Sequence, residues 1–192
     1  MKKKIYLFTI NLLVIFTLVN AQNTAQVKSK TNQQAQKVSI QGLHNLYKVN
    51  DSVYRSEQPD KQGFLDLEKL GIKTVLCLRS KHNDEEVAKG TGFVLQTLPM
   101  KSESISTQNI IDALRAIQKA KKPILVHCLH GSDRTGFIIA AYRIVIEGWT
   151  KEEAISELNY PPFAYNKIDY PNIVAVLNSL DVEAIRKELG LK

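Results

Sequence analysis

Cys128 and Arg134 enclose five residues in the run His127-Cys-Leu-His-Gly-Ser-Asp-Arg-Thr-Gly136. A thiol is a weak nucleophile until it ionises. A guanidinium offers a planar fork that grips two phosphate oxygens at once, which the point charge of lysine cannot do. The run follows the apolar Pro123-Ile-Leu-Val126 and precedes Phe137-Ile-Ile-Ala-Ala-Tyr142, so it reads as a strand, a tight loop and the first turn of a helix. Such a loop aims backbone N–H groups at an anion, and the helix N-terminus adds a positive field. The groups that hold a phosphate dianion also favour the Cys128 thiolate, so nucleophile activation and substrate binding share one electrostatic cause. The implied chemistry is attack of sulfur on a phosphate ester. Leu129, His130, Gly131 and Ser132 form the expected phosphate cradle. Gly131 permits the curvature, and Gly136 permits close packing of the following helix. The Thr135 hydroxyl is placed to stabilise the sulfur as a leaving group in a second half-reaction. His127 is expected to fix loop geometry through backbone hydrogen bonds, without taking the thiol proton.

The elements that position this loop follow from periodicity and turn residues. Thr74–Leu78 and Ile124–Val126 are nearly unbroken apolar runs, as buried central strands require. Leu43–Val49 and Ser52–Arg55 read as strands around the turn Asn50-Asp51. Phe93–Leu98 is a further strand, ended by Pro99. A helix opens at Gln58-Pro59-Asp60 and stops at Gly71, and Asn83–Gly90 reads as a short polar helix. Ser106–Ala120 carries Ile110, Ile111, Leu114 and Ile117 at helical spacing. Helices are also predicted over Thr135–Glu147, Lys151–Leu158, Asn172–Leu180 and Glu183–Leu189, with Thr150 and Glu153 as a capping box. Alternating strands and helices predict an α/β sandwich around a central, mainly parallel sheet, with the loop at the C-terminal end of a central strand.

The N-terminus differs from the rest. Met1-Lys-Lys-Lys4 is basic, Ile5–Val19 is apolar, and Val19 and Ala21 precede a cut before Gln22. That is the layout of a secretory signal peptide, and the apolar run is short for a membrane span. Residues 1–21 are therefore expected to be an export signal, removed without stable membrane insertion, with the protein periplasmic or secreted. They carry three lysines and no acids, so their loss lowers the formal charge from +7 to +4. Residues 22–37 read as a polar flexible spacer, and the folded domain is expected over 38–192. The remaining positive charge suits an anionic substrate. No basic stripe interleaved with aromatics suggests nucleic acid. Two cysteines occur, Cys77 and Cys128. Cys77 reads as a small buried residue, or as a partner that captures an oxidised Cys128 in a reversible disulfide.

His127-Cys128, five residues, then Arg134-Thr135-Gly136 resembles the signature of the cysteine-dependent protein tyrosine and dual-specificity phosphatases. Val53-Tyr-Arg-Ser-Glu-Gln-Pro59, Gly71-Ile-Lys-Thr-Val-Leu-Cys-Leu-Arg79 and Trp149-Thr-Lys-Glu-Glu-Ala154 extend the resemblance to the small atypical dual-specificity phosphatases, over about residues 40–180. The resemblance implies a phosphocysteine intermediate hydrolysed by water, with no metal and no cofactor. It implies a phosphorylated substrate: a phosphotyrosine, phosphoserine or phosphothreonine protein, or an inositol phosphate or lipid headgroup. It also implies a general acid from an upstream aspartate, but Pro99-Met-Lys-Ser-Glu-Ser-Ile105 holds none. Asp133 inside the loop and Glu103 upstream are the two candidates, with neither as a third outcome; Asp133 alternatively orients Arg134 or caps the helix. His130 with Lys101 is a candidate contact for further phosphates. Arg55 and Arg79 read as structural, holding loops through carboxylates or carbonyls. Two rival readings are a rhodanese-like sulfurtransferase and a non-catalytic phosphate-binding module. The trailing Arg134-Thr135-Gly136 argues against the first, and the intact Cys128 and Arg134 argue against the second.

Overall fold

A computed structural model of the chain describes residues 34–82 and 84–192. The proposed export segment and residues 22–33 of the spacer lie outside them. The compact unit begins at Ala35, three residues before the expected start, because Gln36–Lys37 (β1) pairs antiparallel with Tyr47–Lys48 (β2). Two exposed polar residues on a sheet edge leave no compositional trace.

Among the described residues the sheet has six strands in the order β1-β2-β3-β6-β4-β5. Val53–Ser56 is β3, Thr74–Arg79 is β4, Val94–Met100 is β5 and Ile124–His127 is β6. The first three are antiparallel, and β3, β6, β4 and β5 run parallel. All four residues of β6 are buried, as are the first five of β4. That burial on both faces is why their sequences are continuously apolar. β6 is central, so its C-terminal end delivers the Cys128 loop to the middle of one sheet edge.

Alternate residues serve two cores. Val75 and Leu125 pack with Tyr54, Phe64, Leu67 and Ile72 on one face. Leu76 and Val126 pack with Leu114, Phe137, Ile138 and Cys128 on the other. Helix α1, Lys61–Lys69, covers the first face and is capped by Asp60, whose carboxylate accepts from the Gly63 N–H. Helices α2 (Thr107–Lys119), α3 (Asp133–Val145), α4 (Lys151–Leu158), α5 (Asn172–Ser179) and α6 (Val182–Glu188) follow. α3 is buried from Thr135 to Val145 without a break, so it has no polar face to betray its period. The Thr150–Glu153 capping box forms as expected.

Four expectations are corrected. Of the strand expected over Leu43–Val49, only Tyr47–Lys48 pairs as strand. Residues 84–90 form turns instead of the short polar helix, and Asp84 within them is buried; Asn83 lies outside the described residues. β5 continues through Pro99 to Met100; it is an edge strand, where a missing N–H is tolerated. α3 begins at Asp133, two residues before Thr135, so Asp133 and Arg134 both stand in its first turn.

Candidate active site

Four consecutive carbonyls of the loop are tied on its outer side. The Cys128 carbonyl lies 3.1 Å from His127 Nδ1. Leu129 O accepts from the Gln58 N–H at 3.1 Å. His130 O accepts from Asn45 Nδ2 at 2.8 Å, and Gly131 O from Arg55 Nη2 at 2.6 Å. In a trans peptide the carbonyl and the following N–H point opposite ways. Holding the carbonyls outward therefore turns the N–H groups inward, toward the space above the sulfur. Gly131 has φ +72°, and a Cβ there would lie 2.6 Å from backbone atoms of Ser56 and Glu57. Only glycine combines that left-handed backbone with that approach to β3. A Cβ on Gly136 would lie 2.6 Å from Leu158 Cδ1, so this glycine seats α3 against α4.

Cys128 is 2 % exposed at the floor of the loop. Burial alone would push its thiol up. The Thr135 hydroxyl and N–H, the Arg134 charge and the Gly131 N–H outweigh burial, and the thiol lies below its ordinary value. The buried Thr135 hydroxyl, short of a fully formed hydrogen bond, has the sulfur as the group it acts on. Arg134 is half-buried, with Nη1 3.5 Å from Met100 O and Nε buried without a partner. Among the described residues no carboxylate consumes its fork. Leu129 and His130 are exposed at the rim, and Ser132 is the N-cap residue of α3 without capping through its side chain.

His127 is fixed from behind. Its Nε2 lies 2.8 Å from Asp84 Oδ2, and Asp84 Oδ1 accepts from Gln58 Nε2 at 2.8 Å. Gln58 Oε1 in turn accepts from Arg79 at 3.0 Å. Burial would lower the imidazole, but the bond to Asp84, with a lesser contribution from Cys77, raises it to about 9. His127 is therefore an imidazolium at neutral pH, a donor at both nitrogens. His127 meets a loop carbonyl through Nδ1, and Asp84, Gln58 and Asn45 complete a support that the residue pattern did not disclose. Asp84 sits in Asp84-Glu85-Glu86, which reads as a solvated acidic stretch. Arg55 and Arg79 act as structural groups, as expected.

The two candidate acids are placed differently. Asp133 Oδ1 accepts from the Asn166 N–H at 2.9 Å. It lines a cleft of about 600 Å³ with His44, Glu57, His130, Asn166 and Tyr170. Glu103 stands exposed on the turn Ser102–Ser104. Lys101 is also exposed and does not line the cleft beside His130. Cys77 is in register with His127 across β4 and β6. It therefore faces the side of the sheet opposite Cys128, and both thiols are free. The proposed Cys77–Cys128 disulfide has no support in this geometry.

A family model described as a polymorphic toxin system DSP-PTPase phosphatase matches residues 49–148. The dual specificity protein phosphatase TpbA of Pseudomonas aeruginosa is 32% identical over 170 residues, covering 88% of this chain and 75% of that protein. The inositol diphosphatase SIW14 of Saccharomyces cerevisiae is 30% identical over 156 residues, covering 76% and 54%. A crystal structure of a TpbA variant in complex with pTyr superposes with a TM-score of 0.74 at 29% identity, covering 82% of this chain and 96% of that one. An inward-facing amide loop, a depressed thiol at its floor and these likenesses agree: the chain belongs to the DSP-PTPase phosphatases and is a cysteine-dependent enzyme.

Proposed function

We propose that the chain is an exported protein phosphatase whose preferred substrate is a phosphotyrosine-type side chain. The Cys128 thiolate attacks phosphorus while the loop N–H groups and the Arg134 fork hold the non-bridging oxygens. The phosphorus–oxygen bond of the ester breaks, and Asp133 gives its proton to the departing oxygen. Water then hydrolyses the sulfur–phosphorus bond, and the Thr135 hydroxyl stabilises the departing thiolate.

The observation that carries the substrate reading is the cleft beside the loop. Among the described residues it is lined by the carboxylates Glu57 and Asp133, by His44 and His130, and by no lysine or arginine. A polyphosphorylated inositol placed there meets like charge, whereas a peptide carrying one phosphoryl group does not. The likeness to a TpbA complex with pTyr supports the same choice. Turnover of phosphotyrosine peptides and of inositol pyrophosphates by the full chain tests it. The peptides are expected to give at least ~10-fold higher kcat/KM, about the effect of one unfavourable charge contact; the reverse order overturns the reading.

Asp133 is favoured over Glu103 because it stands in the first turn of α3, beside Arg134. Asp133→Asn is expected to lower kcat ~100-fold on an alkyl phosphate, and much less on an activated aryl phosphate that leaves without a proton. An equal, small loss on both would move the role elsewhere. The export reading rests on Met1-Lys-Lys-Lys4 and the apolar Ile5–Val19. Fractionation of cells making the full chain tests it, and activity confined to the cytoplasm would overturn it.

A further inference from the structure

Behind the catalytic loop, on the sheet face opposite Cys128, Cys77, Asp84 and His127 bring a sulfur, a carboxylate oxygen and a ring nitrogen within 4.8 Å of one another. All three are buried, at no more than 3 % exposure. We propose that this cluster is a binding site for a divalent cation of the zinc class, separate from the phosphoryl-transfer chemistry.

The donor set carries the choice of ion. One thiolate, one imidazole and one carboxylate suit zinc or cobalt, and do not suit magnesium or calcium, which take oxygen ligands. The groups around the donors are arranged as a metal site needs. His127 keeps Nδ1 on the Cys128 carbonyl at 3.1 Å, which directs Nε2 into the cluster. A ligating histidine characteristically holds a backbone carbonyl or carboxylate with its other nitrogen. Asp84 Oδ1 is fixed by Gln58 at 2.8 Å, which leaves Oδ2 on the His127 side. His82 stands at the solvent side of the cluster, its side chain 25% exposed and its Nε2 3.4 Å from Asp84 Oδ1. That ring nitrogen makes no hydrogen bond among the described residues. It is placed beside Asp84 as a candidate fourth donor.

Binding is an exchange without redox change. The cation displaces the thiol proton of Cys77 and the Nε2 proton of His127, and bonds form to sulfur, nitrogen and the Asp84 oxygen. Cys77 gives up a weak contact to His82 O at 3.8 Å. One dication replaces two protons, so the buried cluster gains no net charge. The His127–Asp84 contact must widen from 2.8 Å to roughly 3.3 Å, the spacing of two ligands on a tetrahedral zinc. The Nδ1–H stays on the loop carbonyl, so an occupied site braces the catalytic loop from behind.

The chain has two cysteines, so the full chain carrying Cys128→Ser has Cys77 as its one thiol. Titrating that variant with cobalt(II) is expected to produce a near-ultraviolet thiolate-to-cobalt band and tetrahedral visible bands at one equivalent, both removed by zinc. Saturating zinc should also raise its Tm by about 5 °C, since the ion binds the folded chain. The double variant Cys77→Ser/Cys128→Ser should show neither band nor shift. Absence of a thiolate band in Cys128→Ser at millimolar cobalt overturns the proposal, whether or not the double variant folds. A band without a rise in Tm also overturns it, because the metal would then be held by unfolded chain.

Discussion

Arg143 and Arg55 are both buried to 1 % exposure, and each lays its guanidinium on an aromatic ring, Trp149 at 4.3 Å and Phe163 at 3.9 Å. Around Arg143 the charge is cancelled. Its Nε and Nη2 bond both oxygens of Glu157 at 2.9 and 2.8 Å, and Nη1 bonds Glu147 at 2.5 Å. Burial alone would lower this guanidinium, but Glu157 and Glu147 more than offset it. Around Arg55 no carboxylate closes an ion pair among the described residues. It donates to Gly131 O, and its Nε is buried without a partner. Burial pushes it down to about 10, only partly opposed by Glu157 and by Cys128, so it remains charged at neutral pH.

The difference separates two uses of a buried cation. Arg143 joins α3 to α4, and its counter-ions come from the fold. Arg55 sits behind the phosphate loop, pulling on the carbonyl whose peptide partner is the inward Ser132 N–H. Arg55 spends its charge on the Gly131 carbonyl and on the face of the Phe163 ring. A buried cation held on a loop carbonyl serves that loop, whereas one fully paired with carboxylates serves the joint between helices.

Removing Arg143 breaks the comparison most severely. Arg143→Met leaves Glu157 buried and unpaired, which costs about 3–5 kcal/mol of stability. Thermal unfolding should show a Tm lower by about 10 °C, with kcat/KM at 25 °C little changed in the folded fraction. Arg55→Met should do the opposite. Losing a charged donor to the loop is expected to lower kcat/KM ~10–100-fold, and the fall in Tm should be smaller than for Arg143→Met. If the two variants lost stability and activity in the same proportion, the distinction would fail.

The smallest effect is on pH dependence. The folded value of His127, about 9, exceeds its ordinary 6.5. Its contribution to stability is therefore complete below about pH 6.5 and is lost as pH rises through about 9. The Tm should decline between pH 7 and pH 10 for this reason, and Asp84→Asn should flatten that decline. A profile identical in both proteins would show that the pair does not govern it.

The parts of the molecule visible in the residues are those governed by local rules. β4 and β6 are apolar on both faces, Thr150 and Glu153 form their capping box, and the loop needs glycine at 131. The supports of the loop are not of that kind. Asn45, Gln58 and Asp84 reach it from three separate segments, and polar side chains in turns look alike whether they face water or a buried carbonyl. Asp84 was hidden further by its acidic neighbours, and the residues around it read as a helix because their polarity has no period to contradict one. The extension of β5 through Pro99 was hidden because a proline rule depends on whether a strand is central or at an edge, which only the sheet order reveals.

That edge position has a consequence for the company the molecule keeps. A sheet border with a regular row of free N–H and C=O groups invites another chain to add a strand. Here one border is β1, two exposed residues long. The other is β5, where Pro99 has no N–H to offer and the pairing with β4 shifts register between Cys77 and Arg79. Both borders are poor templates for a further strand. The fold can thus keep a strongly apolar set of central strands without presenting them to its neighbours as a seed for aggregation.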